Sequence, residues 1–359
     1  MRQPYRIAVA GPGGLGASAI REVLRMPEYK LVSVLAYSPN KDGVDVGTLV
    51  GIEPIGLKAT TRLDDLLKSD AEAVIYTARD FGDWRSDNEI LALLEAGKNV
   101  ITPLPYHYLR ARGEDVEARF TAAAKKGGAT LHGSGITPGF FNERVALLMT
   151  GLTNDVTSIR FQEFFNAAPL AGALQTLQLF GFGLSKEDAE KNLAPAMMAE
   201  NYLKQPIQYA ADRLGVKIDR IERRPQLEVA PQDIETPATV IKKGTVGTVS
   251  YAWTAYVDNK PWYTTEVYWY LGDVMRPKTA KGDDFWTIAI EGRPSLEVTV
   301  AAQASFAKQL AIDPKEPTPA GYIMTIVALL QAVPTVVNAA PGLLLPALPE
   351  VHWKRDQRN

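Results

Sequence analysis

A glycine-rich loop follows the first apolar run of the chain and has the spacing of a nucleotide-binding turn. The pattern G-x-G-x-x-G is matched by Gly11-Pro12-Gly13-Gly14-Leu15-Gly16. The first glycine of this pattern allows a tight strand-to-helix turn, the second lets backbone amides approach a pyrophosphate, and the third lets the helix pack closely on the sheet. The N-terminus of the following helix favours the bound anion. The loop therefore predicts a dinucleotide site, and a glycine-rich turn without a ligand is the alternative.

The end of the second predicted strand should select between the two nicotinamide dinucleotides. An acid there would accept a hydrogen bond from the adenosine ribose of NAD(H), whereas a cation would pair with the 2′-phosphate of NADP(H). The segment after this strand has no acid at its tip and offers donors from Ser38, Asn40 and Lys41. We therefore expect NADP(H), with NAD(H) as the alternative cofactor and a solvated loop lysine as the alternative role of Lys41. Further cofactor contacts are predicted where the third and fourth strands end, at Thr77, Ala78, Thr102 and Pro103.

Two phenols and one imidazole follow the fourth predicted strand. Tyr106, His107 and Tyr108 would lie near the carboxyl edge of a parallel sheet, where each could donate a proton to a carbonyl or imine that receives hydride. The alternative is that the tyrosines are packing residues and that His107 is a satisfied surface or core histidine. His132 ends the fifth strand and has the same two interpretations.

Glu163 is the carboxylate that could handle an amine in the second half of the chain. It lies near the end of a predicted strand together with Gln162 and Asn166. Because the alternation along this strand does not fix which face Glu163 occupies, a solvent-facing carboxylate is the alternative. The candidate catalytic residues are therefore Tyr106, His107, Tyr108 and Glu163.

The elements that must position these residues divide the chain into two domains. In the first, short β-branched runs alternate with helical stretches, which predicts an α/β Rossmann domain with a parallel, doubly wound sheet over residues 1–138. The predicted strands are Arg6–Ala10, Lys30–Ala36, Ala73–Tyr76, Asn99–Thr102 and Ala129–His132, and the predicted helices are Gly16–Arg25, Ser86–Ala96 and Arg112–Lys126. The Gly- and Pro-rich segment Gly133–Gly139 predicts the junction between the domains.

The remainder predicts an α+β domain with a mostly antiparallel sheet over residues 139–318. Its strands are predicted at Val156–Phe164, Gly244–Val257, Trp262–Leu271, Phe285–Glu291 and Ser295–Ala302. Helices are predicted at Ser185–Arg213 and Gly321–Ala339, and Arg223–Val240 is predicted to be an irregular connection. Residues 319–359 would form a C-terminal helix and tail that pack back on the first domain.

The composition excludes several classes of function. The chain has 359 residues with 39 basic and 41 acidic side chains and no long basic run, so we expect a small-molecule substrate and no nucleic-acid or membrane partner. The absence of cysteine excludes disulfides and thiolate metal sites, and with the lack of a signal-peptide pattern it favours a cytoplasmic location. Metal-ligand spacing and a G-x-S-x-G motif are both missing from the sequence, which argues against metallohydrolase and serine-hydrolase chemistry. The apolar stretch 323–345 is interrupted by polar residues and prolines, so it predicts a buried helix.

Several separated segments resemble the dihydrodipicolinate reductase-like superfamily, and within it the 2,4-diaminopentanoate dehydrogenases and native amine dehydrogenases. They are GPGGLG, YSPNKDGVDVG, HGSGITPGFFNERVALLMTG, LQTLQLFGFG, GTVGTVSYAWTAYVDNKPWYTTEVYWY with IEGRPSLEV, and TIVALLQAVPTVVNAAPGLLLP. The resemblance spans most of the chain. It implies a Rossmann domain, an α+β domain that supplies substrate contacts and a dimer interface, and hydride transfer between NAD(P)H and an imine formed from a ketone and an amine.

The resemblance also implies a site glutamate that this chain lacks. In the amine-forming members a glutamate after the fourth strand handles the amine, and the matching positions here are Leu104 and Pro105. A segment that resembles the pocket wall of the family contains Gln175 and Gln178. The substrate pocket is predicted to include Thr137, Asn166 and the aromatic residues Phe140 and Phe141 as well. We therefore expect a homodimeric NAD(P)H-dependent oxidoreductase that reduces a C=O or C=N group of a small, fairly apolar substrate, or performs the reverse oxidation. The alternatives are a dinucleotide-binding protein with lyase, isomerase or sensing function, and an amine dehydrogenase in which Glu163 or Tyr106 replaces the glutamate.

Overall fold

A computed structural model of the protein divides the chain into two compact units. It describes residues 3–168, 177–178, 180–191, 194–237, 239–282, 284–302, 320–356 and 358, with the side chains of 194–198 left out of the description. The first unit comprises Met1–Phe140 and Tyr322–Pro346, and the second comprises Phe141–Gly321 and Ala347–Asn359. The C-terminal helix is therefore mostly part of the first unit, whereas the tail after it belongs to the second.

A six-stranded parallel sheet forms the centre of the first unit. Its strands are β1 (Tyr5–Ala10), β2 (Tyr29–Leu35), β3 (Ala73–Tyr76), β4 (Asn99–Thr102), β5 (Thr130–Gly133) and β14 (Gly342–Leu343). They pair in the order β14-β5-β4-β3-β1-β2, and every pairing is parallel. All four residues of β3 are at most 1% exposed, as expected for a strand covered on both faces.

Helices cover this sheet because their apolar residues recur three and four positions apart. They are α1 (Gly14–Arg25), α2 (Val46–Leu49), α3 (Leu63–Lys68), α4 (Asp87–Glu95), α5 (Glu114–Gly127) and α9 (Ala320–Val337). Ile20 of α1 and Val333 of α9 share a core cluster with Ile7 and Val9 of β1. The neighbouring alanines of β1 pack with α4 and α5 in a second cluster, so the two clusters lie on opposite faces of the sheet.

The helix α9 is the one described helix that is long and apolar enough to cross a membrane, judged by length and composition. Its buried residues recur along one side, and Ile326, Leu329 and Val333 are fully buried in the core of the first unit. The hydroxyl of Tyr29 also donates a hydrogen bond to the carbonyl of Leu330 at 2.7 Å. These contacts agree with the buried helix predicted for this stretch.

A six-stranded mixed sheet forms the centre of the second unit. Its strands are β6 (Asn154–Asn166), β7 (Arg220–Val229), β10 (Val246–Val257), β11 (Lys260–Tyr270), β12 (Asp284–Arg293) and β13 (Leu296–Ala302), and a separate pair is formed by β8 (Ile234–Glu235) and β9 (Val240–Ile241). The order is β13-β12-β6-β11-β10-β7, and only the β6–β11 pairing is parallel. The helices are α6 (Ala146–Met149), α7 (Lys186–Lys191) and α8 (Ala194–Leu214), and a π-helical turn spans Phe141–Val145.

The predicted fold class is confirmed, and the ends of the five predicted Rossmann strands differ from the structure by one residue at most. The prediction of an irregular connection at Arg223–Val240 is wrong for its first part, Arg223–Val229, because β7 pairs with β10 along its whole length. As an edge strand it buries little and tolerates Pro225, so alternation does not reveal it. The single helix predicted at Ser185–Arg213 corresponds to two helices in the structure, α7 and α8.

Candidate active site

The glycine-rich loop joins β1 to α1, and close backbone contacts shape it. Gly11 has a φ of +88°, and a Cβ at this position would lie 2.7 Å from the carbonyl oxygen of Thr77. A Cβ on Gly16 would lie 2.1 Å from the carbonyl oxygen of Gly11. In contrast, a Cβ on Gly13 or Gly14 would meet no described atom within 4 Å. Gly11 and Gly16 are therefore required by the protein's own packing, whereas Gly13 and Gly14 face open space.

The N-terminus of α1 opens toward this space. Gly13 precedes the helix without a capping side chain, and the first turn contains no acidic residue. The amides of a first helical turn lack acceptors within the helix and carry the positive end of its dipole. Room for a ligand, donors and a favourable dipole are therefore present together, and the loop fits a pyrophosphate.

Lys41 lies against the same loop. Its Nζ donates a hydrogen bond to the carbonyl of Pro12 at 3.1 Å. It ends a single 3-10 turn, Pro39–Lys41, which follows β2, and the neighbouring Ser38 and Asn40 are exposed. A cation is thus held beside the glycine-rich loop at the end of β2 instead of extending freely into solvent.

Thr77, at the end of β3, contacts the backbone of the glycine-rich loop. Its hydroxyl lies 3.1 Å from the carbonyl oxygens of both Ala10 and Gly11 and can donate to either. A Cβ on Gly16 would lie 2.6 Å from this hydroxyl oxygen. The backbone of Ala78 would lie equally close to a side chain on Gly11, so the end of β3 keeps the loop in its tight conformation.

Thr102, one of the predicted cofactor contacts, lies in the interior of the first unit. This residue is 0% exposed. Its hydroxyl donates to the carbonyl of Tyr76 at 2.8 Å and accepts from the amide of Leu104 at 3.1 Å. Thr102 is therefore fully enclosed and anchors the strand ends, and its cofactor contact stays a prediction. Pro103 is half-buried, and its role stays a prediction.

Tyr106 belongs to a buried cluster of charges. Its hydroxyl donates to Asp87 at 2.8 Å, and Asp87 also accepts hydrogen bonds from Arg112 at 2.6 Å and Arg119 at 2.7 Å. The guanidinium of Arg112 lies 3.6 Å from the centre of the Trp84 ring. Burial and the charge of Asp87 raise the pKa of Tyr106 far above its usual value. A phenol that is difficult to deprotonate and already donates to Asp87 is better suited to packing than to the predicted proton transfer.

His107 and Tyr108 follow Tyr106 in the chain and are buried as it is. His107 is 2% exposed, and its Nε2 donates to the carbonyl of Ser134 at 3.2 Å. Tyr108 is also buried, at the start of the 3-10 turn Leu109–Arg112. The third candidate imidazole, His132, donates from Nδ1 to the carbonyl of Leu344 at 2.7 Å. The catalytic roles of His107 and Tyr108 stay predictions.

Glu163 is buried on β6, and both of its carboxylate oxygens accept hydrogen bonds from indoles. Oε1 accepts from Nε1 of Trp269 at 3.0 Å, and Oε2 accepts from Nε1 of Trp286 at 3.0 Å. Trp286 lies directly across from Glu163 on β12, and Trp269 lies on β11 across from Phe165. Because Glu163 is only 9% exposed, the alternative of a solvent-facing carboxylate is wrong.

Aromatic rings adjoin this carboxylate. The ring of Phe141 stacks on Trp286 with centroids 5.0 Å apart, and the ring of Phe180 meets Trp269 edge-on at 4.8 Å. The Glu163 carboxylate is therefore held in a fixed position by packed aromatic rings. Phe141 and Trp286 are buried beside it, and Trp269 and Phe180 are partly exposed.

None of the other predicted pocket residues has a described contact with Glu163. The side-chain oxygen of Asn166 accepts from the amides of Ala168 at 3.1 Å and Gly272 at 3.0 Å, so it fastens the chain at the strand end. Phe140 is 41% exposed and belongs to the first unit, where Thr137 is half-buried. Gln178 is exposed, and Gln175 lies outside the described residues. The pocket roles of these residues stay predictions.

Sequence reasoning missed Trp269 and Trp286. The residues are visible in the predicted strands, but the pairing that brings both indoles to Glu163 depends on strand register, which no local pattern reveals. Within the described parts of the chain, no group of three His, Asp or Glu could hold a metal ion.

A Rossmann unit with an open glycine-rich loop, followed by a unit built on a mixed sheet, is the combination expected of an NAD(P)-dependent oxidoreductase. Comparison with known proteins supports this class. The profile of the dihydrodipicolinate reductase N-terminus matches residues 5–101, and the profile of the 2,4-diaminopentanoate dehydrogenase C-terminal domain matches residues 140–352.

The similar proteins include two enzymes matched in sequence over nearly the whole chain. An amine dehydrogenase of Streptomyces virginiae is 29% identical over 347 residues, which cover 93% of each chain. A 2,4-diaminopentanoate dehydrogenase of Acetoanaerobium sticklandii is 21% identical and covers 95% of this chain and 92% of its own. The solved structure of an amine dehydrogenase from Mycobacterium smegmatis has a TM-score of 0.78 at 19% identity and covers 97% of this chain and 98% of its own.

The family assignment follows from the longer profile match, which covers more than half of the chain. The protein belongs to the 2,4-diaminopentanoate dehydrogenase C-terminal domain family, within the dihydrodipicolinate reductase-like proteins, as the resemblance implied.

Proposed function

We propose that the protein is an NADP(H)-dependent amine dehydrogenase, which interconverts a small, fairly apolar amine and the corresponding imine. The observation that carries the proposal is the open edge of the glycine-rich loop at Gly13 and Gly14, with Lys41 hydrogen-bonded beside it. The two sequence relatives are an amine dehydrogenase and a 2,4-diaminopentanoate dehydrogenase, which supports an amine as the substrate.

The preference for NADP(H) rests on charge at the end of β2. A 2′-phosphate adds negative charge to the adenosine ribose, and a lysine held at the loop would pair with it. The nearest following acid, Asp42, accepts hydrogen bonds from the amide and hydroxyl of Thr61 at 2.8 and 3.0 Å. Asp42 is therefore committed to its own loop, and the ribose specificity is assigned to Lys41.

Named residues of the first unit would bind the cofactor. The amides of Gly13 and Gly14 and the N-terminus of α1 would bind the pyrophosphate. Thr77 would hold the backbone of the loop in place through its hydroxyl contacts with the carbonyls of Ala10 and Gly11. The nicotinamide cofactor supplies or accepts the hydride when bound. The chain itself would orient the substrate, exclude water around the reacting carbon and neutralise charge.

Carbonyl reduction without an amine is the second candidate function. Leu104 and Pro105 stand where the resemblance implies a glutamate, and neither can exchange a proton or pair with an ammonium group. An enzyme without that acid would still transfer hydride to a ketone. Ammonia dependence of the reaction distinguishes the two candidates.

Titration with NADPH and NADH tests the cofactor assignment. We expect NADPH to bind more tightly than NADH, and Lys41→Ala to weaken NADPH by about tenfold, the value of one charge-assisted hydrogen bond, without changing NADH. Lys30→Ala, at the exposed beginning of the same strand, is the matched control and should change neither affinity. Equal loss of both dinucleotides in Lys41→Ala would refute the assigned specificity, and binding of neither by the wild type would refute the proposed function.

We also propose that the enzyme is a cytoplasmic homodimer. The absence of cysteine supports a reducing compartment. Sedimentation of the purified protein should give twice the monomer mass of 39.2 kDa, and a monomer would contradict the proposal.

A further inference from the structure

Glu163 differs from two other buried carboxylates in its partners. Asp87 is paired with Arg112 at 2.6 Å, and Glu266 is paired with Arg160 at 2.8 Å. Glu163, at 9% exposure, accepts only from the two neutral indoles of Trp269 and Trp286, and no cation pairs with it among the residues that the structure describes. The fold has therefore buried a carboxylate without supplying its counter-charge from the described part of the chain.

This arrangement leaves capacity for one more ligand. An ionised carboxylate has about four acceptor positions, and the indoles use two of them. A buried charge without a partner is costly, so a cation that completes the group would be strongly favoured. The chemistry at Glu163 therefore suits a compact organic cation with hydrogen-bond donors.

We propose that Glu163, held by Trp269 and Trp286, binds the primary ammonium group of the substrate and so selects amines. This inference rests on the proposed function, because it takes the substrate to be an amine, and it adds the residue that recognises it. The indole N–H groups fix one oxygen each, and the stacking of Phe141 on Trp286 keeps the group rigid. An alcohol of the same shape would leave the charge uncompensated and bind less tightly.

Glu266 provides a matched control on the neighbouring strand. It pairs in register with Gln162, the residue before Glu163, so the two glutamates project from opposite faces of the sheet. Glu266 also accepts from the hydroxyl of Ser250 at 3.0 Å, which completes an internal network with Arg160. Glu266→Gln removes a buried charge from the same sheet without touching the proposed subsite.

Binding of n-butylammonium chloride tests the proposal, with n-butanol as the neutral ligand of the same shape. Calorimetry measures both affinities, and tryptophan fluorescence, to which the two indoles that contact Glu163 contribute among the six of the chain, follows binding independently. We expect the wild type and Glu266→Gln to prefer the ammonium over the alcohol, and Glu163→Gln to lose about 10- to 100-fold in ammonium affinity, as for a hydrogen bond to a charged group. The affinity for butanol should remain unchanged.

Glu163→Asp keeps the charge and provides a second variant. It should retain a preference for butylammonium over butanol, whereas a purely structural role of Glu163 predicts equal changes for both ligands. In turnover with a primary amine, Glu163→Gln should raise KM by about tenfold and leave kcat less affected, because it removes substrate binding.

Two results would overturn the proposal. One is a wild type that binds butylammonium no better than butanol, which can be measured even when Glu163→Gln does not fold. The other is a folded Glu163→Gln variant with unchanged ammonium affinity. NADPH titration of the same samples separates the proposals, because failure to bind NADPH refutes the dehydrogenase function, whereas loss of ammonium preference with normal NADPH binding refutes only the role of Glu163.

Discussion

Gly13→Ala and Gly16→Ala introduce the same methyl group three residues apart in one loop, and the structure predicts opposite consequences. At Gly16 the new Cβ would lie 2.1 Å from the carbonyl oxygen of Gly11 and 2.6 Å from the hydroxyl of Thr77. The Gly11 carbonyl cannot easily move away from this Cβ, because the backbone of Gly11 already lies against the end of β3, with a φ of +88°. At Gly13 the new Cβ would meet no described atom within 4 Å, and the φ of −86° suits alanine.

The magnitudes follow from these contacts. For Gly16→Ala, overpacking costs up to about 3 kcal/mol and the better helix propensity of alanine returns about 1 kcal/mol, so the free energy of unfolding should fall by about 2 kcal/mol. For Gly13→Ala the free energy of unfolding should change by less than about 1 kcal/mol. The NADPH affinity of Gly13→Ala should nevertheless fall by about tenfold or more, because the methyl group occupies the space where the pyrophosphate meets the backbone amides.

Urea unfolding and NADPH titration of both variants measure these quantities. Wild-type NADPH affinity in Gly13→Ala would show that the open space is not the cofactor site. Wild-type stability in Gly16→Ala would show that the loop is not packed as described. Gly14→Ala is the matched comparison, since its Cβ would also meet open space, and it should behave like Gly13→Ala.

Three further predictions concern stability. Asp87→Asn should lower the free energy of unfolding by about 3 kcal/mol in chemical denaturation, because it leaves the nearly buried Arg112 without its counter-ion; a change below about 1 kcal/mol would contradict the described cluster. Burial raises the pKa of Glu89, although hydrogen bonds from Tyr37 and Tyr76 oppose this effect, so folding favours the neutral carboxyl. The stability of the wild type relative to Glu89→Gln should therefore fall as the pH rises above the ordinary pKa of a glutamate, about 4.3, and a pH-independent difference would refute the shift. Asn166→Ala should cost about 1–3 kcal/mol in thermal unfolding, because two backbone amides lose their acceptor, and unchanged stability would argue against this role.

The sequence was sufficient to predict the Rossmann unit because its signals are local. Short β-branched runs form the buried strands, and the glycine pattern depends on sterics within one turn and its immediate neighbours. The sequence does not predict the edge strand β7, because most of its residues are exposed and show no alternation of apolar and polar side chains. Its extended conformation is fixed by pairing with β10. The position of Thr102 at a strand end predicts a cofactor contact, but its burial and its hydrogen bond to Tyr76 on the neighbouring strand are features of the tertiary structure.

The candidate site was only partly predictable for the same reason. The sequence indicates Glu163 as the one suitable carboxylate, but its burial and its two indole partners depend on the register between β6 and two strands that come more than 90 residues later, β11 and β12. Tyr106 was equally plausible as a proton donor until its contact with Asp87, 19 positions away, was known. Local patterns therefore identified the cofactor loop, whereas the environment of each titratable group required the tertiary structure.

Product analysis after incubation with NADPH, a panel of small apolar ketones and isotopically labelled ammonia tests the central claim most directly. Mass spectrometry of the products and the loss of NADPH fluorescence would be followed together. An amine dehydrogenase should form labelled amine in equal amount to the NADPH consumed, and only when ammonia is present. Formation of the alcohol regardless of ammonia would contradict the claim in favour of carbonyl reduction, and tight NADPH binding without any turnover across the panel would contradict the proposed redox function.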